Sequence, residues 1–351
     1  MEPIKHRNVC VFPLLREDAM THRRRSPLLC ALIASAMLST AYAEERPENP
    51  VAAGLYGPVD ALEGSDLYAA PVEVAPGVWS AIGATQPPTY ENAGHNNNLT
   101  FVIGETGVLM VNGGASWRLA EAMHGEIKKR TDKPVLFAVA ENGQGHAMLG
   151  MSYWRAQGVP VIAQDEAAAV FDEDGFDILE RMKGYNRDRA EGTTIPEVDQ
   201  TFEDEMTLDL GGVTAVLKNF GPAHSPGDIS VIVPERNVII AGDMAFHVRI
   251  PPIFEETDTA AWLESWEAFA EVAREMTIIP GHGGPTDFAA VDAGTRVYIE
   301  FLRSEVAAIL EAGGGLQDAF EIDQSRYRDA HTYWELAARN AGRVFEQMEF
   351  E

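Results

Sequence analysis

Residues 221–228 read Gly221-Pro222-Ala223-His224-Ser225-Pro226-Gly227-Asp228, and two later stretches follow the same plan: Ile239-Ile240-Ala241-Gly242-Asp243 and Ile278-Ile279-Pro280-Gly281-His282-Gly283-Gly284. In each, a β-rich run gives way to a glycine-containing turn that carries a histidine or an aspartate. Glycine lets the backbone turn without a side chain filling the space, and loops at strand ends are where a rigid sheet displays ligands. Taken singly, each stretch has an ordinary explanation: a hydrogen-bonded turn histidine, or an aspartate capping a turn. Three in succession point to a sheet edge built to present polar side chains.

The flanking sequence supplies the sheets. Runs 207–210 and 213–217 flank Gly211-Gly212, and runs 229–233 and 238–241 flank residues 234–237, which predicts two hairpins. Upstream, 78–82, 99–103 and 108–111 are short β-rich runs, the last two joined by Gly104-Glu105-Thr106-Gly107. A helix is expected from the N-cap Ser116, with Leu119, Met123 and Ile127 on one face. Strand 135–139, a helix over 147–156 stopped by Gly158, and strand 159–163 form a β-α-β unit, hence a parallel pair. Met148, Met151, Tyr153 and Trp154 read as core. Helices over 259–273 (Trp262, Trp266, Phe269) and 287–310 (Val291, Tyr298, Leu302, Ile309) carry apolar stripes, and residues 313–315 end the second. The pattern is a layered α/β sandwich without a detectable internal repeat.

Together with the strand-loop-helix at 135–150, the three glycine-turn stretches resemble the successive motifs of the metallo-β-lactamase superfamily, over about residues 78–284. The resemblance implies an αββα sandwich of two mixed β-sheets with outer helices, here assigned to residues 76–351 including C-terminal helices over 287–351. From residue 71 onward, including Asn340-Ala341-Gly342-Arg343-Val344-Phe345, the chain is similar to exported metallohydrolase-like proteins of sulfur-oxidation or quinoprotein systems. The resemblance also implies that His224 binds a first metal, Asp243 bridges two metals and His282 binds the second. The remaining ligands would come from an H-x-H-x-D-H stretch after strand 135–139. That stretch reads Glu141-Asn142-Gly143-Gln144-Gly145-His146, so only the last histidine is present, and Asn112 stands where an aspartate is usual.

A ligand count follows from that comparison. The second site keeps His146, Asp243 and His282, and three protein ligands with an open position is the composition of a catalytic zinc site. The first site keeps His224 and the shared Asp243, with Glu141 as a substitute ligand. One metal ion is therefore expected rather than two. Zinc is the family's expectation, and a 2-His-1-carboxylate set also suits iron or manganese. In this reading Asp243 orients a water and His224 transfers a proton. Substrate contacts are expected from the loop 87–98, with Tyr90 and His95, and from 244–249, with His247 and Arg249.

Charge and the N-terminus narrow the classes further. The 351 residues include 54 Asp and Glu against 27 Lys and Arg, for a formal charge of -27, and such a surface repels nucleic acid and anionic membranes. Residues 22–25 are basic, 28–38 apolar, and Ala41-Tyr42-Ala43 has the small-x-small pattern of a cleavage site before Glu44, so residues 1–43 read as a signal peptide. Met20 opens a more conventional signal than Met1 does, and Arg24-Arg25 leaves the choice between general and twin-arginine export open. The apolar run is too short for a membrane anchor. Both cysteines, Cys10 and Cys30, fall in this leader, so a metal in the exported chain must use His, Asp or Glu. Residues 44–75 read as an extended N-terminal arm. The function expected is that of a periplasmic or secreted metal-dependent hydrolase with a small-molecule substrate; the alternative is an inactive binding or accessory protein that keeps the sandwich. Oligomeric state is left open.

Overall fold

Alternation along the strands decides how the layers stack. The computed structural model describes residue 62 and residues 64–351, and these residues contain two sheets. The first runs, in spatial order, β1 (Val72–Ala75), β2 (Val78–Ala81), β3 (Leu99–Ile103), β4 (Val108–Val111), β5 (Val135–Val139), β6 (Val161–Gln164) and β7 (Gln200–Phe202). It is antiparallel up to β4 and parallel from β4 to β7. The second is the meander β8 (Glu205–Asp209), β9 (Thr214–Lys218), β10 (Ser230–Val233) and β11 (Val238–Phe246), with β12 (Thr277–His282) parallel to β11.

Successive side chains of a strand point to opposite faces. Val102, Leu109, Val111 and Val139 of the first sheet meet Leu217, Val231, Ile240 and Ile279 of the second in a shared inner core. Their neighbours Phe101, Met110 and Ala138 face outward, against α1 (Trp117–Lys128), α2 (Gly145–Met148), α3 (Met151–Ala156) and α4 (Asp165–Asn186). On the other side Ile239 and Ile278 pack against Trp262, Trp266 and Phe269 of α5 (Thr259–Ala273) and Val291 of α6 (Phe288–Gly294). Each fully buried side chain of this size stabilises the fold by about 1.5–3 kcal/mol. The result is the αββα sandwich expected from the sequence. Tyr298 and Leu302 of α7 (Arg296–Glu311), Ala319 of α8 (Leu316–Phe320), and Leu336 and Phe345 of α9 (Tyr333–Met348) form a further cluster that takes in Ile250 and Ile253. The C-terminal helices thus lie against the segment that follows β11.

Several local expectations change for tertiary reasons. The helix expected over 147–156 is interrupted between α2 and α3, because the Gly113–Gly114 backbone docks there: Gly113 N donates to Ala147 O at 2.7 Å and Gly150 N to Gly114 O at 2.8 Å. The helix expected over 287–310 divides at buried Thr295, whose Oγ1 accepts from Phe246 N at 2.8 Å. Strand β1 lies inside the stretch assigned to the arm, with Leu67 buried ahead of it, so the folded part starts earlier than residue 76. The signal-peptide segment 1–43 and most of 44–63 lie outside the described residues. No helix among the described residues is long and apolar enough to cross a membrane. The sequence reading passed over α4, whose polar, glycine-interrupted sequence has a weak apolar stripe; Gln164 caps it by accepting from Glu166 N and Ala167 N.

Candidate metal centre

Two loops and two strands meet at one edge of the sandwich. Residues 141–146 follow β5, residues 219–229 lead from β9 to β10, Asp243 lies in β11, and His282 ends β12. Asp243 is therefore inside a strand, where the β11–β12 register breaks between Ile240 and Gly242 and again between Gly242 and Phe246. Gly242 sits there at φ 60°, in the left-handed region that favours glycine, and a Cβ on it would stand 2.2 Å from Glu141 Oε2. A Cβ on Gly281 would stand 2.1 Å from Asp243 Oδ1. These two glycines let the carboxylates approach the sheet edge.

His146 Nε2 lies 3.4 Å from Asp243 Oδ2, and His282 Nε2 lies 3.3 Å from Asp243 Oδ1. One donor atom from each of His146, Asp243 and His282 falls within 4.8 Å of the other two. Donors bound at about 2.0–2.1 Å around a tetrahedral zinc are themselves about 3.4 Å apart, so the spacing fits a shared ion. The electronic arrangement fits as well. His282 Nδ1 donates to the carbonyl of Asn96, which fixes the tautomer and leaves the Nε2 lone pair facing Asp243. His146 Nε2 and Asp243 Oδ1 are buried and make no hydrogen bond among the described residues, a costly state that a cation between them relieves. The residues present fit a single metal ion.

Glu141 and His224 flank this triad. Glu141 Oε1 is 3.6 Å from His146 Nε2 and has no hydrogen-bond partner; His224 Nδ1 is 3.8 Å from Asp243 Oδ2. His224 is packed among Phe246, Phe254 and Trp262, at ring-centroid distances of 5.4, 5.1 and 5.9 Å, and its Nδ1 accepts from Gln144 Nε2 at 3.2 Å. Buried Asp228 pins the His224 loop by accepting from Ser225 N at 2.6 Å and from Ser225 Oγ at 3.0 Å. Asn112, at φ 68°, accepts from Glu141 N at 3.0 Å and so holds the start of the ligand loop.

Burial sets the proton affinities. It pushes His224 and His282 down to about 4, with Arg249 adding to the effect on His282, so both are neutral at neutral pH. Burial works the same way on His146, but the Asp243 and Glu141 carboxylates outweigh it and push that imidazole up to about 9. Burial disfavours the Asp243 carboxylate, but the protonated His146 imidazole beside it outweighs burial and holds Asp243 well below its usual range. Burial raises Glu141, and the Asp243 charge adds to the rise.

The triad forms part of the floor of a cleft of about 710 Å³. Of the four substrate contacts expected, Arg249 lines this cleft, with Nη1 3.2 Å from His282 Nδ1. The other three do not line it. His95 is fully buried, its Nδ1 accepting from Tyr68 N at 2.9 Å. Tyr90 lies under the guanidinium groups of Arg187 and Arg189, at 5.2 and 4.6 Å, in a separate depression. His247 follows β11 outside the cleft. The loop 87–98 still serves the site, through Asn96 on His282 and through Asn98, whose Nδ2 donates to Pro280 O and Gly283 O, both at 2.7 Å. Three consecutive asparagines before a strand were the visible signal, and their partners, 180 residues away in sequence, were not.

Fold and donor set together define a metallo-β-lactamase-type sandwich with a candidate metal centre at its edge. The sequence profile described as the metallo-beta-lactamase superfamily matches residues 146–282, the span from the first to the last of the three donors. Among solved structures, a metallo-beta-lactamase from Pontibacter korlensis superimposes with a TM-score of 0.52 at 18% identity, covering 63% of this chain and 94% of that one. The DIM-1 metallo-beta-lactamase exposed to ceftazidime gives 0.53 at 17%, covering 66% and 96%. Among curated proteins, a hydroxyacylglutathione hydrolase of Hyphomonas neptunium is 27% identical over 111 residues, 32% of this chain and 41% of the relative. One from Bartonella henselae is 30% identical over 93 residues, 26% of this chain and 36% of the relative. The matches thus span about two fifths of these relatives' lengths. The profile and the structural neighbours support the superfamily, and the fold is that of the metallo-β-lactamases.

Proposed function

We propose that the protein is a hydrolase that holds one metal ion, zinc by preference, through His146, Asp243 and His282 and acts on a small-molecule acyl compound. The observation that carries this reading is the convergence of three buried donors within 4.8 Å of one another. When bound, such an ion supplies a water acidic enough to ionise near neutral pH and polarises the substrate carbonyl. The chain's own residues do the rest. Asn96 keeps the His282 lone pair turned inward, and Asn142 Nδ2 donates to Asp243 Oδ2 at 3.3 Å, which leaves Oδ1 directed at His282. Asp243 orients the attacking water. His224, neutral and weakly basic, fixes Gln144 through its Nδ1, whereas Glu141, raised by burial, stands better placed to exchange a proton. The partial likeness to hydroxyacylglutathione hydrolases favours a thioester or ester as the bond cleaved.

The packing of α4 supports a single ion. Gly143 stands where the resemblance implies a first-site histidine and Gly145 where it implies the second-site aspartate, and α4 packs against both, so a Cβ would lie 2.6 Å from Ala167 O or 2.7 Å from Ile178 Cγ2. Metal analysis of the purified protein, with a panel of aryl esters and thioesters, tests the reading. His282→Ala should lose the ion and any hydrolysis, and Glu141→Gln should keep the ion. Two ions in the parent, or loss only on changing Glu141, would refute the single-site assignment; no ion in any preparation would favour a binding or accessory protein. We further propose export with cleavage before Glu44, on the strength of residues 22–43. Intact mass of protein from the periplasm checks it, and a form that retains residues 28–38 would rule it out.

A further inference from the structure

The connector from β11 to α5 has no regular secondary structure from residue 250 to residue 258, yet residues 250–253, residue 257 and the first residue of α5 are buried. Buried backbone needs hydrogen-bond partners, and most of them come here from one helix. Asn340 of α9, fully buried, accepts from Ile253 N at 3.0 Å through Oδ1 and donates to Pro251 O at 2.8 Å through Nδ2. Two turns further along the same face, Gln347 Nε2 donates to Thr257 O at 2.5 Å, and Gln347 Oε1 accepts from Thr259 Oγ1 at 2.7 Å. Thr332, just before α9, donates to Ile250 O at 3.2 Å. The junction is strained: Thr332 and Val248 are β-branched residues at φ 64° and 71°, a conformation kept only where the surroundings over-determine it. Helix α9 lies outside the span 146–282 matched by the superfamily profile.

Thr257 carries that brace to the metal centre. It is buried, and its Oγ1 donates to His224 O at 2.7 Å and accepts from Phe254 N at 3.0 Å. One hydroxyl therefore holds both the backbone of His224 and the backbone of the phenylalanine whose ring packs 5.1 Å from the imidazole. From α9, the Arg339 guanidinium stands 5.3 Å from the same phenyl ring. His224 in turn fixes Gln144, and Phe254, His224 and Gln144 all line the cleft beside the three donors. The donors are held elsewhere: His146 by α2, Asp243 by β11 and His282 by β12. Removing a buried hydroxyl that both donates and accepts leaves two backbone groups unsatisfied, so the register of connector and His224 turn depends on it.

We propose that Thr257 is a positioning residue: it transmits the bracing of α9 to His224 and Phe254 and so sets the distance between the connector's wall of the cleft and the metal centre. The inference rests on the hydrolase reading for the substrate, and not for the network. A substrate group resting on Phe254 is presented to the donors at one distance by a braced connector and at several by a loose one. Loss of the hydroxyl should therefore weaken substrate binding while leaving the metal donors as they are.

The test uses the full chain loaded with zinc. Thr257→Val removes the hydroxyl at nearly constant volume, Thr257→Ser keeps it, and Gln347→Ala loosens the brace from α9 should Thr257→Val fail to fold. In histidine-labelled protein, NMR of the His224 ring nitrogens should show one tautomer fixed by Gln144 in the parent and in Thr257→Ser, and an averaged pair in Thr257→Val. Amide hydrogen exchange at Ile253 and Phe254 should quicken at least about tenfold in Thr257→Val and Gln347→Ala. With 4-nitrophenyl butyrate, KM should rise at least about fivefold in both, with zinc content and the pH profile of kcat near the parent's. A lowered melting temperature with ring nitrogens, exchange and KM unchanged would make Thr257 a structural residue only and overturn the proposal, as would a KM rise that persists in Thr257→Ser. Parent protein that does not turn over this ester counts against the hydrolase reading alone, because the ring nitrogens and exchange rates still decide whether α9 positions His224 through Thr257.

Discussion

Placing a side chain at residue 143 should destabilise the protein without creating a metal site. Gly143 lies beneath the first turns of α4, and a Cβ there would stand 2.6 Å from Ala167 O and 3.3 Å from both Cβ and Cγ1 of Val170. The nearest atom is helix backbone, which yields only if the end of α4 moves, so Gly143→Ala should cost about 1–3 kcal/mol as an overpacked site. Gly125 supplies the internal control: it sits within α1 with nothing inside 4 Å of its built Cβ, so Gly125→Ala should instead gain about 0.5–1 kcal/mol from helix propensity. Urea unfolding of the two variants beside the parent reads both signs in one experiment. Gly143→His, which restores a histidine where the family resemblance expects one, should be less stable still and bind no additional ion. Gly145→Asp would bring a Cβ within 2.7 Å of Ile178 Cγ2 and 3.4 Å of Leu149 Cδ1, so Ile178→Ala should relieve most of the crowding. A Gly143→Ala protein as stable as the parent, or a Gly143→His/Gly145→Asp protein that folds normally with two ions, would refute the claim that α4 occupies the missing ligands' space.

Acid should unfold the protein partly through His95. Burial holds this imidazole down to about 4 against 6.5 unfolded, so between those values the unfolded chain binds the extra proton and stability falls as pH falls. The difference corresponds to roughly 3 kcal/mol lost from pH 6.5 to 4, and His95→Gln should flatten that limb of a stability-against-pH curve; an unchanged slope would contradict it. Metal affinity should depend on pH in the same sense for another reason. His146, at about 9 in the metal-free chain, must shed its proton to become a ligand, so zinc affinity should fall about tenfold per unit as pH drops from 8 to 6. Titrations in buffers of different ionisation enthalpy would register about one proton released per ion, and a pH-independent affinity would remove His146 from the ligand set.

How much of this was legible in sequence follows from the range of the interactions involved. Strand alternation, hairpin turns, the Ser116 cap and the apolar stripe of α5 are local, set by neighbours within a few residues, and the sandwich could be read from them. The order of His146, Asp243 and His282 along three strand-end segments was likewise visible, because glycine-bearing turns mark where a sheet presents side chains. Tertiary structure decided what those residues meet. Asn96 aiming His282, Thr295 dividing a helix to bond Phe246, and His331 bridging Arg249 each join segments 49 to 186 residues apart in sequence, and no local pattern encodes such a partner. His95 shows the same limit in reverse: a polar residue in a loop before a strand looks available to substrate, yet the fold closes over it. The helix α4 carried the largest consequence with the faintest signal. Its apolar stripe is weak because it packs partly on glycines and loop backbone, so only the assembled fold reveals that it fills the room where further ligands would stand.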